Sequence, residues 1–357
     1  MVGSIYLPLH HGKAPYWLLG RMKKLAKPII ALIIKEFGEK EFFERMSDPI
    51  FFQSFSNVLG FDWNSSGSTT VLTGVLKSVL NTSDFSIRVA GGKGKEGLKT
   101  PEHVVRFADE LGIGSKAEEL IKVSRLAAKV DGVALQDGYD IYHHALLFSP
   151  KYCVVIQQGM NTHARLARRY HWKVSSFSAK AEEPHSGIIT VRRENSVMNL
   201  VARESRENRE TILDVVRDGT FQRDYRKLLS VLRYRESVVV PKRIDWNAIE
   251  KAYNLQPERF EELLLVRGIG KAAIRALALV ADIIYNAEYS TQDPAKYCFA
   301  VGGKDGVPFP VDRRSYDEVI EFMRDAIKQA ELGRFEKLEA LKRLQASFYS
   351  SAEGRRA

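Results

Sequence analysis

Cysteine is almost missing from this sequence of 357 residues. The two present, Cys153 and Cys298, each lie in an apolar run without the Cys-x-x-Cys spacing of a zinc site or redox motif, and both read as buried thiols. Long apolar runs are missing too. The greasiest stretch, Pro28 to Ile34, falls far short of the ~20 residues that a membrane span requires, and the N-terminus lacks the charged-then-apolar order of a signal peptide. A reducing cytoplasm, with no membrane partner, is the default expectation. No repeat of fixed period and no low-complexity tract occurs. The glycine-rich run Gly91-Gly92-Lys93-Gly94-Lys95 lacks the spacing of a nucleotide-triphosphate loop, which removes the simplest ATP-binding reading.

What is abundant is ordinary globular material, 45% hydrophobic and 27% charged, on a chain long enough for two domains. The net charge of +10 favours polyanionic partners. It is unevenly spread: +3 over residues 1–160, +6 over 161–240 and +1 over 241–357. The excess centres on Arg165, Arg168, Arg169, Lys173, Arg192 and Arg193, which reads either as a phosphate-facing surface or as a solvated one.

Apolar spacing predicts helices over Tyr16–Leu25, Pro28–Phe37, Lys40–Met46, Ser68–Leu80, Thr100–Leu111 and Ser115–Lys129. Phe85–Ala90 is β-prone. Tyr139–Phe148 and Tyr152–Gln157, split by Ser149-Pro150-Lys151, predict a β-hairpin, and Ile188–Val191 a further strand. From Ser196 the pattern turns helical: Ser196–Glu204, Asn208–Val216, Tyr225–Leu232, Trp246–Tyr253, Pro257–Val266, Lys271–Tyr285 and Arg314 onward to Phe348. The expectation is an α+β fold, with a small antiparallel sheet in an N-terminal domain over 1–195, a helical connector over 196–240, an all-α domain over 241–349 and a frayed tail over 350–357.

The sharpest motif runs from Leu263 to Leu277. Two apolar helices join through Arg267-Gly268-Ile269-Gly270-Lys271, where glycines permit positive φ and Ile269 can plug the crotch between the helices. Amides at the start of the second helix then face outward beside Lys271 and Arg275, an arrangement suited to phosphate. The bland alternative is a plain αα-hairpin.

This stretch resembles the helix-hairpin-helix superfamily of sequence-independent DNA-binding proteins, and Ala272, Ala273 and Ala276 match its close helix packing. The resemblance implies DNA binding through Arg267, Gly268, Ile269, Gly270, Lys271 and Arg275. In the superfamily's glycosylase branch a catalytic lysine opens the second helix and an aspartate follows further on. Lys271 and Asp312, in Phe309-Pro310-Val311-Asp312, look like that pair, although Lys271 follows Gly270 directly and a long insertion from Asn286 to Val307 intervenes.

A second concentration of chemistry lies between Gln136 and Trp172. A three-residue loop at Ser149-Pro150-Lys151 would set His143 opposite Gln157 and Tyr142 opposite Gln158, so that polar groups converge at one end of the hairpin. Strand cleavage needs an activated water and cations facing the phosphorus. Asp137 and Asp140 are the candidate ligands of a divalent Mg or Mn ion, His143, Gln157 and His171 join them as catalytic candidates, and Lys93, Arg168 and Arg169 are the candidate phosphate contacts. His143 and His144, adjacent on a strand, point to opposite faces, so one of them at most belongs to such a site.

Over most of its length the chain also resembles a prokaryotic family, frequent in archaea and heat-loving bacteria, that couples an N-terminal domain of unassigned reaction to a helix-hairpin-helix. Gln136–His144, Gln157–Asn161 and Arg168–Trp172 carry that resemblance. The functional expectation is a metal-dependent, structure-selective endonuclease in DNA repair or replication, acting on single-stranded or structured duplex DNA, with room for a helicase or other repair partner and for a homodimer. The rivals are a glycosylase or lyase using Lys271 and Asp312, and a DNA-binding recruiter without catalysis.

Overall fold

The computed structural model describes residues 14–61, 66–232, 239–295 and 297–298, with single positions and a short helical stretch, 340–344, further on. Three helices come first: α1 (Tyr16–Ser47), α2 (Pro49–Val58) and α3 (Ser66–Leu80). Gly38, at φ 85°, bends α1 where the sequence reads as two helices, whereas Pro28 is carried inside it. Asp48 opens α2, its carboxylate accepting from the amides of Ile50 and Phe51 ahead of a proline at the first helical position.

Then come β1 (Arg88–Lys93), the single turn α4 (Lys95–Leu98), α5 (Thr100–Glu110), α6 (Ala117–Lys129), β2 (Leu135–Gln136), β3 (Asp140–Phe148), β4 (Cys153–Asn161), β5 (Leu166–Val174), β6 (His185–Thr190) and β7 (Met198–Asn199). The chain continues as α7 (Arg206–Arg217), α8 (Phe221–Val231), α9 (Trp246–Leu255), α10 (Phe260–Leu265), α11 (Lys271–Tyr285) and β8 (Tyr297–Cys298). The main sheet has the order β1-β3-β4-β5-β6-β8, antiparallel except for β8, which runs parallel to β6. β2 and β7 form a separate two-stranded ribbon. The fold is α+β, as expected.

Side-chain alternation along the strands divides the sheet between two cores. Ala145, Leu147, Val154 and Ile156 pack with α1, α2 and α3. Leu146, Phe148, Val155, Tyr170 and Trp172 face the other way, into a larger core that takes in α5 and α6 and continues through α7, α10 and α11 to Ala295. That larger core crosses the expected boundary at residue 195, so the C-terminal helices are built onto the sheet and do not stand apart from it.

Several local expectations are corrected. β1 begins at Arg88, not Phe85, and takes in Gly91-Gly92-Lys93; Gly91 pairs with Ala145 so closely that an added Cβ would meet the His144 carbonyl at 2.3 Å. Ser196–Glu204 is not a helix: Met198 and Asn199 pair with Gln136 and Leu135. The β3–β4 turn has four residues, because Phe148 pairs with Cys153 and the Ser149 amide donates to the Tyr152 carbonyl at 2.9 Å. His144 therefore faces Gln157 and His143 faces Gln158, one position off the predicted register, until a bulge at Tyr142 shifts the pairing back. The expected helix from Arg314, and Asp312 with it, lies largely outside the described residues.

Candidate functional site

The α10–α11 hairpin forms where the sequence places it. Val266, Arg267, Gly268 and Ile269 make a tight turn closed by the Ile269 amide on the Val266 carbonyl at 3.1 Å, with Gly268 at φ 99° in its third position. A Cβ on Gly268 would meet Ala248 Cβ at 2.7 Å and Asp245 Oδ2 at 2.9 Å, so the turn is pressed against the first turn of α9. Gly270 is in extended backbone at φ −133° and has no such constraint; only the first of the two glycines is sterically required. Ile269 is fully buried, as a plug between helices must be, while Arg267 and Gly268 are exposed.

α11 opens without a side-chain cap, and its first internal bond is from the Ile274 amide to the Gly270 carbonyl. The amides of Gly270, Lys271, Ala272 and Ala273 have no acceptor among the described residues. The mouth of the hairpin is also tied to the sheet. Lys129 donates to the Ile269 carbonyl, Gln136 donates to the Lys271 carbonyl at 3.1 Å and accepts from Arg275 at 2.8 Å, and Lys271 pairs with the carboxylate of Asp140. The two concentrations of chemistry seen in the sequence thus meet at one place, the β2–β3 connection lying against the start of α11.

The remaining sequence-predicted residues do not converge. Asp137 turns inward: its carboxylate takes Arg168 at 2.9 Å, the Tyr170 hydroxyl at 2.7 Å and the Tyr139 amide at 3.1 Å. Asp140, three residues on, points outward, with 82% of its side chain exposed. Asp137 is thus taken up by a buried network and Asp140 lies at the surface beside Lys271, and no group of three or more His, Cys, Asp or Glu that could hold a metal occurs among the described residues. Arg168 and Arg169 are corrected as well. Both have no exposed surface, so neither is part of a phosphate-facing exterior. Arg168 is paired with Asp137 and with Asp293 at 2.7 Å. Burial works against its charge, and Asp137, Tyr170 and Asp293 more than offset it, raising the guanidinium above its ordinary value.

Gln157 belongs to a closed network on the larger core's side. Its Oε1 accepts from His144 Nδ1 at 2.8 Å and its Nε2 donates to Asp131, while Ser124 meets the other ring nitrogen of His144 at 2.7 Å. Asp131 is completely buried and also takes Trp172 Nε1 at 2.9 Å and His185 Nε2 at 2.6 Å. His143 and His171 sit on the opposite face. His143 Nε2 meets Thr73 Oγ1 at 2.9 Å, and His171 Nδ1 meets the Met46 carbonyl at 3.1 Å. Burial pushes His143 down to about 3, with His144, Lys93 and Lys77 adding to the effect; burial and then Arg169 push His171 well below its usual range. Both rings are neutral at pH 7. Lys93 is exposed at the sheet edge, its ammonium 5.9 Å from the centre of the Tyr142 ring.

Sequence reasoning missed Asp131, Asp293, Thr69 and Thr73. Asp131-Gly132 interrupts an apolar stretch directly after α6, and a lone acid among apolar residues is a readable sign of a buried acceptor. Asp293 gives no local sign, since its partner Arg168 is 125 residues away. Cys153 is buried, which raises its thiol above the ordinary value; the Cys298 side chain lies outside the described residues. No helix among the described residues is long and apolar enough to cross a membrane.

The family described as Protein of unknown function (DUF763) matches residues 3–311, and the chain belongs to it. No curated protein and no solved structure matches the chain.

Proposed function

We propose that this DUF763 member binds the sugar-phosphate backbone of DNA through the mouth of the α10–α11 hairpin, without reading bases. The observation that carries the reading is the opening of α11: four consecutive amides without an acceptor among the described residues, beside an exposed Arg267 and a half-exposed Lys271, in a turn whose geometry depends on Gly268. Such donors with the positive end of a helix dipole suit a phosphate oxygen, and the net charge of +10 supports approach to a polyanion. Phosphate would displace Asp140 from Lys271.

The proposal is confined to binding. The endonuclease expected from the sequence rests on Asp137 and Asp140 sharing a metal, and one carboxylate is locked inside the protein while the other faces Lys271. Fluorescence anisotropy with labelled single-stranded, duplex and bubble DNA over a salt series tests the reading. Affinity should fall linearly with salt on logarithmic axes, and the surface variant Arg267→Ala/Lys271→Ala should weaken it about tenfold for all sequences alike. Binding untouched by that double variant would remove the hairpin from the interface. Strand cleavage in Mg²⁺ or Mn²⁺ and not in EDTA would add a metal-dependent reaction. Borohydride trapping at Lys271 would instead point to lyase chemistry.

A further inference from the structure

Arg169 is completely buried, yet no carboxylate among the described residues pairs with it. Its Nη1 contacts Gln53 Oε1 at 3.3 Å and Thr69 Oγ1 at 3.4 Å, and its Nη2 the Pro49 carbonyl at 3.3 Å. These are long for bonds from a charged donor, which ordinarily close to about 2.7–2.9 Å. Its Nε has no partner, and its guanidinium lies 4.7 Å from the centre of the Phe52 ring. Among the described carboxylates, Asp48 caps α2, Glu44 is held by Lys173, and Glu96 by Lys77 and Lys99. Burial alone, unopposed by any acid, pushes Arg169 below its ordinary value, to about 9.

Two further buried atoms on this face are also without partners, His143 Nδ1 and His171 Nε2. Their protonation follows from their neighbours. Thr73 Oγ1 lies 2.8 Å from the Thr69 carbonyl and 2.9 Å from His143 Nε2; with its hydroxyl proton on that carbonyl, His143 donates from Nε2 and holds a lone pair at Nδ1. His171 donates from Nδ1 to the Met46 carbonyl, which leaves a lone pair at Nε2. β5 sets Arg169 and His171 two residues apart on one face, with Phe52 touching both, and Gln158 lies between His143 and Arg169 across the strands. The row therefore offers a cationic donor needing negative charge and two acceptors needing protons. Water satisfies the second need but not the first.

We propose that this row is a binding site for a phosphate-type oxoanion held on Arg169, with Thr69 and Gln53 beside it. A partly protonated oxoanion supplies both charge for the guanidinium and a hydroxyl for a histidine lone pair. Two half-buried residues touch the row: Gln53, which contacts Arg169, and Tyr142, the extra residue of the β3 bulge, which lies beneath the exposed Lys93 and is bonded to Gln158. The same chemistry fits free inorganic phosphate or a terminal phosphate on a nucleic acid, and the site stands independently of the hairpin.

The test is thermal unfolding and titration calorimetry of the full chain in sodium phosphate against sodium chloride of equal ionic strength. The wild-type midpoint should rise with the logarithm of phosphate concentration. Arg169→Met should abolish that rise and, without phosphate, unfold at the wild-type midpoint or above it, because an uncompensated buried charge has been removed. Arg267→Ala/Lys271→Ala should leave the response intact, which separates this site from the DNA interface. If Arg169→Met fails to fold, Arg169→Lys is read instead, with at least a tenfold loss of phosphate affinity expected because ammonium cannot reproduce the forked contact. A wild type indifferent to phosphate, or Arg169 variants responding as it does, overturns the proposal. Competition by an oligonucleotide carrying a 5′-phosphate, and not by its 5′-hydroxyl form, assigns the site to a chain end; equal failure of both assigns it to the free anion.

Discussion

Arg168 and Arg169 are neighbours in β5, equally buried, and opposite in circumstance. Arg168 points into the larger core and meets two carboxylates, a tyrosine ring 4.5 Å away and a web of donors that includes Tyr170. Arg169 points at α1–α3 and meets neutral oxygens at long range and the face of Phe52. The same residue type one position along a strand thus ends in an ion-paired network or beside groups left over. On the Arg168 face the chain supplies the counter-charges itself, from Asp137 in the β2–β3 connection and Asp293 before β8. Among the described residues, the α1–α3 face offers Arg169 only an amide oxygen, a hydroxyl and a main-chain carbonyl, and no acid pairs with it.

Substitutions can break or sharpen this contrast. The largest effect is expected from Arg168→Met, which strands two buried carboxylates and should cost about 3–5 kcal/mol in urea unfolding. Arg169→Met, with no acid to strand, should shift stability by less than about 1 kcal/mol in phosphate-free buffer or raise it; equal losses for the two variants would end the comparison. Acid should act strongly on the α1–α3 face. His143 is held neutral at a folded value of about 3 against an ordinary value of 6.5. Unfolding therefore takes up a proton below pH 6.5, and stability present above that pH is lost as pH falls toward 3, by about 1.4 kcal/mol per pH unit for each such histidine. His143→Gln should reduce that slope by one proton's worth in a series of urea midpoints from pH 7 to pH 4. On the other face Asp131→Asn replaces an acceptor of three donors with a group that itself donates, and about 1–3 kcal/mol should be lost. Smallest is Thr69→Val, which removes the hydroxyl bridging Arg169 and Gln158 and should cost about 1 kcal/mol in the same assay.

How much of this was legible depends on how local each feature is. The hairpin was readable to the residue at Lys271–Tyr285, because apolar spacing, two glycines and a plug residue all lie within a short span. β5 was not read as a strand. Arg168-Arg169-Tyr170-His171-Trp172 is buried on both sides, so it shows neither alternation nor an apolar run, and its charges resemble an exterior. The β3–β4 register slipped by one because Tyr152 belongs to the turn, held by Ser149, and a bulge at Tyr142 then resets the pairing. Asp140 and Lys271 were both singled out from the sequence, yet nothing in a string of letters brings together residues 131 positions apart.

Hydrophobic period and turn chemistry sufficed to establish an α+β protein with a glycine-hinged helical hairpin, since these depend on contacts a few residues long. Which charges are inside, which are paired and which are left wanting a partner depended on the packing of distant segments against the two faces of one sheet. A strand's pleat sends adjacent side chains into different surroundings, and only the assembled layers decide what Arg168 and Arg169 each find there.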